Sequence, residues 1–318
     1  MLQAMHKNSS AALRPSPGSL SETGSLSQEQ REIFLRDGFL IAPVFAPEDF
    51  DPVKAEISTA LGRRAREFHA AGMLPELHED APFETRFGLL AAQCPDLHGG
   101  MDTTDLLGDA LFLFMRHPML LAALESLLGP ELTLNPIQHL RAKPPGAADR
   151  TRSGYYEVPW HQDSGVTTPD SDAALLITAW TPLCGANEEM GCMRLIPGFH
   201  HQGHVDHISD PRYGTTIRPD LVPEARAVAG VCNVGEVVFM TQFTPHCSTV
   251  NRSPRCRWSI DLRYQITGTA SGRAWFPSTV VQSRRDPASE VSDPAQWRAA
   301  WQAALARPNP GAKHRTVP

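Results

Sequence analysis

The amino-terminal part of the chain passes from an aperiodic segment into two regular elements. Residues 1–24 are rich in Ser, Pro, Gly and Ala and show no hydrophobic period, which predicts a disordered extension. Ser27 is a suitable N-cap, and the residues 28–37 that follow it end at Gly38, so a short helix is predicted there. A strand is expected next, at residues 39–44.

The following hundred residues carry a helical period. Residues 47–71 predict a second helix, because apolar side chains recur along one face at helical spacing: Phe50, Val53, Ile57 and Leu61. Residues 106–115 and 119–128 predict two more helices that are separated at Pro118, since proline interrupts the hydrogen-bond ladder of a helix. We expect the helices of residues 25–130 to support a sheet.

From residue 131 onward the pattern changes to short β-forming runs separated by turn residues. These runs are 132–141, 174–181, 192–196, 228–231, 237–240, 247–250 and 256–264. Many short strands with this spacing favour a sandwich or jelly roll over alternating β and α units. A last helix is predicted at residues 293–305, where Trp297 and Trp301 lie four residues apart and are expected to pack.

Length and composition indicate one catalytic domain over residues 25–318, with its core at 131–265 and an extension at 266–318. The chain has 318 residues, 41% of them hydrophobic, and a formal charge of -6 that disfavours nucleic acid as a partner. Its apolar stretches look shorter than the roughly 18 residues that span a bilayer. Six cysteines without a CxxC pair favour the reduced cytoplasm.

Three residues suggest a metal site. His161 and Asp163 are two residues apart, and His246 lies far downstream on a second apolar run. In an extended segment positions i and i+2 share a face, so His161 and Asp163 can reach the same ion. Two imidazoles and one carboxylate form the facial triad of non-haem Fe(II) oxygenases. The His-x-Asp triplet taken alone also fits a surface hydrogen bond, so the downstream histidine matters for this interpretation.

The region after His246 predicts a hairpin that would add an anion site. The turn-forming residues 251–254 separate two β-like runs. With these four as the loop, Ser248 would face Arg257 and His246 would face Ser259. Arg257 and Ser248 would then lie on the metal face and bind the distal carboxylate of a keto diacid such as 2-oxoglutarate. A register slip of one residue would instead turn Arg257 to solvent.

Four parts of the chain together resemble the phytanoyl-CoA dioxygenase family of Fe(II)/2-oxoglutarate oxygenases, over residues 30–265. They are Pro-Trp-His-Gln-Asp at 159–163, Trp-Thr-Pro-Leu at 180–183, the segment 187–200 from Asn-Glu-Glu-Met-Gly to Pro-Gly-Phe-His, and His246 with Ser248 and Arg257. The resemblance implies a mainly β (α+β) fold with a double-stranded β-helix (jelly roll, cupin-like) core and flanking α-helices. It implies His161, Asp163 and His246 as iron ligands, and Arg257 with Ser248 as the clamp for 2-oxoglutarate.

The same resemblance extends to further residues of the cosubstrate site. Trp180 is expected to line it. Residues 143–146 resemble the family's Lys-Pro-Pro turn, and the residue four before its lysine, His139, is expected to contact the cosubstrate, with Gln138 as the alternative if the strand is rotated. Some relatives that halogenate lack the triad carboxylate, so Asp163 favours oxygenation.

The expected function is that of a cytoplasmic dioxygenase that requires Fe(II), 2-oxoglutarate and O2 and hydroxylates an unactivated C–H bond of a small metabolite or natural-product intermediate. Succinate and CO2 would be released. Desaturation, epimerisation and ring rearrangement use the same cofactors and stay open. Two rival classes are a jelly-roll isomerase or hydrolase with another divalent ion and an inactive binding module.

Two groups of residues near the metal motif allow more than one interpretation. The histidines between 200 and 207 are expected to belong to a substrate lid rather than to a second metal site. Tyr155 and Tyr156, just before His161, are expected either to pack or to line the substrate pocket.

Overall fold

The computed structural model of the protein describes residues 24–146, 157–308 and 314–317. The predicted amino-terminal extension lies outside these ranges except for Gly24, and so do Tyr155 and Tyr156. The α-helices are α1 Gln28–Asp37, α2 Asp51–Ala70, α3 Phe83–Gln93, α4 Thr103–Leu106, α5 Asp109–Met115, α6 Pro118–Leu128 and α7 Pro294–Leu305.

The β-strands are short and numerous. They are β1 Phe39–Pro43, β2 Leu132–Leu134, β3 His139–Lys143, β4 Val158–His161, β5 Leu176–Pro182, β6 Met193–Leu195, β7 His207–Asp210, β8 Gly214–Ile217, β9 Val228–Gly230, β10 Glu236–Thr241, β11 His246–Ser248, β12 Arg257–Ile266 and β13 Thr279–Gln282.

Local chemistry explains where the first elements begin and end. A capping box starts α1, because the Ser27 hydroxyl accepts from the backbone N–H of Gln30 while the Gln30 side chain accepts from the N–H of Ser27. Gly38 ends α1 at a positive φ of 81°, which glycine adopts without strain. The single strand predicted at 132–141 is divided into β2 and β3, because Pro136 lacks an N–H and the Asn135 side chain accepts from Ile137 instead.

The strands form an antiparallel double-layered core. The larger sheet has the order β1-β10-β5-β12-β2-β13, with β3 also paired to β12, and the smaller sheet has the order β4-β11-β6-β9. A separate pair is formed by β7 and β8. The helices cover the outer face of the larger sheet, where they share one hydrophobic cluster with it. The predicted jelly-roll core with flanking helices is thereby confirmed.

Strand β12 shows how the larger sheet divides its two faces. Ile266 at its end is exposed, whereas four of its apolar residues belong to the main hydrophobic core, against the helices: Trp258, Ile260, Leu262 and Tyr264. The polar residues between them point the other way, into the space between the two sheets: Arg257, Ser259, Asp261 and Arg263. Since side chains alternate along a strand, this one sequence builds both a core and a polar interior. The predicted packing role of Trp297 and Trp301 agrees with their full burial in the same core.

The segment Asp109–Leu128 departs from the expectation that no stretch is long and apolar enough to cross a bilayer. By length and composition alone these 20 residues qualify. Half of an 18-residue stretch within them is buried inside the fold, and the core helices of many proteins are equally long and apolar. Here it is divided into α5 and α6, whose apolar sides belong to the main core.

Candidate metal centre and cosubstrate seat

Strand pairing brings the two histidines together. Antiparallel pairing of β4 with β11 places His246 directly opposite His161, and their ring centroids are 4.1 Å apart. Asp163 follows β4 by two residues and begins a 3-10 helix. One potential ligand atom from each of the three residues lies within 4.8 Å of the others. The structure therefore assembles the three predicted ligands at the open end of β4.

Both imidazoles are oriented for metal binding. Nδ1 of His161 lies 2.9 Å from the carbonyl of Pro159, and Nδ1 of His246 lies 3.0 Å from the carbonyl of Thr244. A carbonyl only accepts, so each Nδ1 carries the proton and each Nε2 keeps its lone pair for an ion. Burial, followed by the proximity of His246, lowers the pKa of His161 to about 3, and burial also lowers the pKa of His246. Both rings are therefore neutral at physiological pH, the form that binds metals.

The carboxylate of Asp163 is held from the larger sheet. One of its oxygens accepts from the Arg263 guanidinium and the other from the Thr178 hydroxyl. Arg263 also donates to the carbonyl of Ile137, at 3.3 Å. Burial alone would raise the pKa of Asp163, but the charge of Arg263 and its hydrogen bond hold that pKa below the ordinary value. Asp163 is thus an ionised and oriented candidate ligand.

Thr178 and Arg263 were not found from the sequence. They lie opposite each other in β5 and β12. The alternation of polar and apolar residues along β12 was a usable signal, because it places Arg263 on the same face as Arg257. A buried carboxylate ligand also requires compensating donors. Which strand provides them depends on the pairing of the sheet.

A second cluster, adjacent to the metal ligands, suits an anion. Arg257 is only 2% exposed and lies over the ring of Trp180, with its guanidinium carbon 5.1 Å from the ring centroid. It donates to the carbonyl of Gly191, while its Nε is buried and has no hydrogen-bond partner among the described residues. Lys143 faces Arg257 across β3 and β12 and donates to the Ser248 hydroxyl at 2.6 Å.

These two buried cations have no carboxylate partner within the described ranges of the chain. Burial lowers the pKa of Arg257 to about 10, and burial together with the charge of Arg257 lowers the pKa of Lys143 well below its ordinary value. Two desolvated positive charges side by side are unfavourable unless an anion joins them. The cluster, which we call the cosubstrate seat, therefore matches the distal carboxylate of a keto diacid.

The predicted hairpin between His246 and Arg257 is wrong. Strand β11 pairs with β4 and β6 of the smaller sheet, whereas β12 pairs with β2, β3 and β5 of the larger one. The connecting residues cross from one sheet to the other. Asn251 stabilises this crossing by donating to the carbonyls of Lys143 and Arg255. Ser248 and Arg257 thus approach the same space from opposite layers.

A small space of about 50 Å³ joins the two candidate histidine ligands to the cosubstrate seat. Its lining includes the predicted residues His161, His246, Trp180, Ser248 and Arg257. It extends to further residues that the sequence did not single out, including Arg141, Met193, Met240 and Asp261. The chelating and distal ends of one keto diacid would therefore lie in one continuous space.

His139 lies elsewhere on β3. Its Nδ1 is 2.9 Å from a carboxylate oxygen of Asp102, and it is not part of the lining of this space. Gln138 is buried and donates to the carbonyl of Asn135 at 3.0 Å. The residue of β3 that reaches the space is Arg141, two positions beyond His139 on the same face.

The histidine-rich segment 200–207 is hydrogen-bonded to Gln162, the residue between His161 and Asp163. The Gln162 side chain donates to the carbonyls of Gly203 and Phe243 and accepts from the N–H of Val205. The backbone N–H of Gln162 donates to Nε2 of His207, at 3.1 Å. Because Gln162 separates two ligands in the sequence, these bonds fix the backbone on which both ligands depend. The lid role that the sequence suggested for the segment stays a prediction.

Comparison with known proteins agrees with this geometry. The sequence model of the family described as Phytanoyl-CoA dioxygenase (PhyH) matches residues 34–259. The peroxisomal phytanoyl-CoA dioxygenase of Rattus norvegicus is 25% identical over 203 residues, which cover 62% of this chain and 56% of that protein. The chain therefore matches only just over half the length of this curated relative.

Two solved structures share the fold. The apo form of the non-haem monooxygenase ThoJ matches with a TM-score of 0.60 and 20% identity, covering 87% of this chain and 97% of that chain. The epimerase SnoN, solved with Fe3+, alpha ketoglutarate and nogalamycin RO, matches with a TM-score of 0.50 and 22% identity, covering 78% and 88%. Because the family match spans more than half of the sequence, the chain belongs to the phytanoyl-CoA dioxygenase family of Fe(II)- and 2-oxoglutarate-dependent oxygenases.

Proposed function

We propose that this protein is an Fe(II)- and 2-oxoglutarate-dependent dioxygenase that hydroxylates a C–H bond of a small molecule. The observation that carries the proposal is the single space lined by both the histidine ligands and the cosubstrate seat. His161, Asp163 and His246 offer the donor set preferred by non-haem Fe(II), with coordination positions left for a chelating keto acid and O2. When bound, these groups supply an oxidant for C–H bonds, with succinate and CO2 as coproducts.

The residues of the chain have separate tasks in this scheme. Arg263 and Thr178 keep Asp163 ionised and aimed at the ion. Arg257 would receive the distal carboxylate of 2-oxoglutarate, and Trp180 covers one face of its guanidinium. Lys143 holds the Ser248 hydroxyl by donating to it, which leaves the hydroxyl proton available to the same carboxylate.

Hydroxylation is proposed over the related outcomes because it needs only one hydrogen removed and one oxygen returned at the same carbon. Epimerisation requires a separate hydrogen donor on the opposite face, and desaturation requires a second hydrogen to be removed. The retained carboxylate ligand Asp163 supports oxygen transfer over halogenation. We propose the cytoplasm as the place of action, since all six cysteines are buried and none forms a disulfide.

The test is turnover of reconstituted protein with Fe(II), 2-oxoglutarate and 18O2 against a panel of small metabolites. Succinate release that depends on O2, with one 18O in the product, supports hydroxylation. Product without 18O but with succinate would indicate desaturation or epimerisation. Turnover that persists without O2 and without 2-oxoglutarate would replace the proposal by a metal-dependent isomerase or hydrolase. Asp163→Ala is the inactive control.

A further inference from the structure

A second, larger cavity adjoins the metal space. It has a volume of about 230 Å³ and shares Arg141, Val158 and Arg257 with that space. Its other walls come from α3, from the segment before and within α4, and from β3. Ligand cavities in proteins range from about 300 to 1,000 Å³, so this one suits a compact molecule. Its contact with the metal space makes it the natural place for the substrate.

Most of the walls are apolar or backbone. Phe87, Met101, Leu140, Ala142 and Val158 contribute the apolar part. Such walls would hold the hydrocarbon body of a substrate by excluding water from it. They do not orient it, and orientation decides which C–H bond faces the metal. A polar group in the cavity must supply that orientation.

The acidic side chains of the cavity are already used by the fold. Asp102 accepts from the backbone N–H of Leu140 and of Thr103, both at 2.7 Å, and also bonds to His139. Asp105 accepts from the backbone N–H of Asp102 at 2.9 Å, which closes the capping box of α4. Asp102 therefore holds the start of α4 against β3, while Asp105 caps the helix.

Two of the three cations that line the cavity are also committed. Lys143 donates to Ser248 and to the carbonyl of Thr249, and Arg257 belongs to the cosubstrate seat. Arg141 differs from both: its side chain is exposed, and in the described part of the chain its guanidinium has neither a hydrogen bond nor an ion pair. It lines both the cavity and the metal space, at their junction.

The position of Arg141 on the sheet explains why it reaches both spaces. Its register partner is Ser259, which lies on β12 between Arg257 and Asp261. On this inner face of β12, Arg257 of the cosubstrate seat lies two residues before Ser259. Arg263, which bonds to Asp163, lies four residues after it. Arg141 therefore lies beside the cosubstrate seat and faces the larger cavity, close to where a substrate must approach the iron.

We propose that Arg141 binds a carboxylate of the substrate, and that the substrate is a compact organic acid whose apolar body occupies the 230 Å³ cavity. This inference rests on the proposed function and adds the substrate class to it. A planar guanidinium pairs with a carboxylate through two parallel hydrogen bonds, which fixes direction as well as affinity. A thioester of CoA fits poorly, since among the described residues that line the cavity its several phosphates would meet one uncommitted arginine.

The test uses the Ni(II)-substituted holoenzyme, which cannot turn over, with 2-oxoglutarate at saturation so that the cosubstrate seat is filled. Matched acid and amide probes are titrated calorimetrically: phenylacetate, 3-phenylpropionate, cyclohexanecarboxylate and hexanoate, each against its neutral amide. We expect at least one acid to bind roughly tenfold to a hundredfold more tightly than its amide, the range for a charged hydrogen-bonded pair. Arg141→Gln should abolish that preference, and Arg141→Lys should restore part of it.

The controls separate this inference from the proposed function. Affinity for 2-oxoglutarate is measured first, and Arg141→Gln should leave it unchanged. Loss of 2-oxoglutarate binding in this variant would overturn the inference by making Arg141 a cosubstrate residue. Equal binding of acids and amides by the unaltered enzyme, or no binding of either, would also overturn it. A protein that binds neither Ni(II) nor 2-oxoglutarate would instead contradict the proposed function. Arg255→Gln, an exposed arginine paired with Glu84, is the matched control.

Discussion

Thr178 and Arg263 face each other across strands β5 and β12, and both donate hydrogen bonds to the carboxylate of Asp163. One cross-strand pair thus satisfies both oxygens of a buried ligand. The arrangement fixes the direction of the carboxylate before any ion binds. Residues of this kind, one step removed from the metal, commonly change metal affinity by about 10- to 100-fold when replaced.

Thr178→Val should weaken Fe(II) binding by about that factor, because valine keeps the volume of threonine and removes the donor. Metal affinity is measured anaerobically by competition with a coloured chelator. Thr181→Val makes the same change on the opposite face of the same strand, where the buried hydroxyl has no hydrogen-bond partner in the part of the chain that the structure describes. That variant should bind iron normally, and an equal loss in both would point to a general effect on β5.

His161→Ala should lose bound iron and turnover together, because the ring is expected to act as a ligand and not as an acid or base. The iron content of purified protein and its succinate formation are compared in the same preparation. His201→Ala removes an exposed histidine of the neighbouring segment and should retain both properties. A His161→Ala protein with full iron and full activity would remove this residue from the metal site.

Arg257→Gln should raise the KM for 2-oxoglutarate by roughly tenfold to a hundredfold, the range expected when one charged hydrogen-bonded pair is lost. Iron content should not change, because Arg257 contacts none of the proposed ligands. For a 2-oxo acid without the distal carboxylate, such as 2-oxovalerate, the KM should differ much less between the variant and the unaltered enzyme. Arg255→Gln, two residues away and exposed, serves as the control. A selective effect on iron content would argue for a different role.

His207→Gln should reduce the fall in the free energy of unfolding of the metal-free protein as the pH is lowered. His207 is 0% exposed, and burial lowers its pKa from 6.5 to about 4. The unfolded chain therefore binds a proton at His207 more readily than the folded protein does. The free energy of unfolding is unaffected by this residue above pH 6.5 and falls as the pH decreases towards 4. The loss amounts to roughly 3 kcal/mol. Urea unfolding of both proteins between pH 4 and 7 measures it, and parallel curves would contradict the prediction.

Sequence reasoning succeeded where the information is local. His161 and Asp163 are neighbours along the chain, so an extended backbone alone places them on one face. The capping box at Ser27, the helix end at Gly38 and the break at Pro118 are likewise decided within a few residues. The alternation along β12 is also local and was a usable signal for Arg263, although the sequence analysis singled out only Arg257 on this strand.

The errors arose where the outcome depends on distant pairing. Residues 251–254 have the composition of a hairpin turn, but Asn251 bonds to the carbonyl of Lys143, more than one hundred residues earlier, and the chain crosses between sheets. The same limit applies to Asp163, whose partners Thr178 and Arg263 are adjacent only because β5 pairs with β12. The role of Gln162 as an anchor for the segment at 203–205 could not be inferred from its position between two ligands.

The division of the metal site between two layers has a mechanical consequence. His161 and His246 belong to the smaller sheet, whereas the groups that restrain Asp163 belong to the larger one. An ion bound by all three would therefore cross-link the two sheets. Its affinity would depend on the distance between them. Metal binding and the packing of the two sheets would then be thermodynamically linked, so that a change that weakens one would also weaken the other.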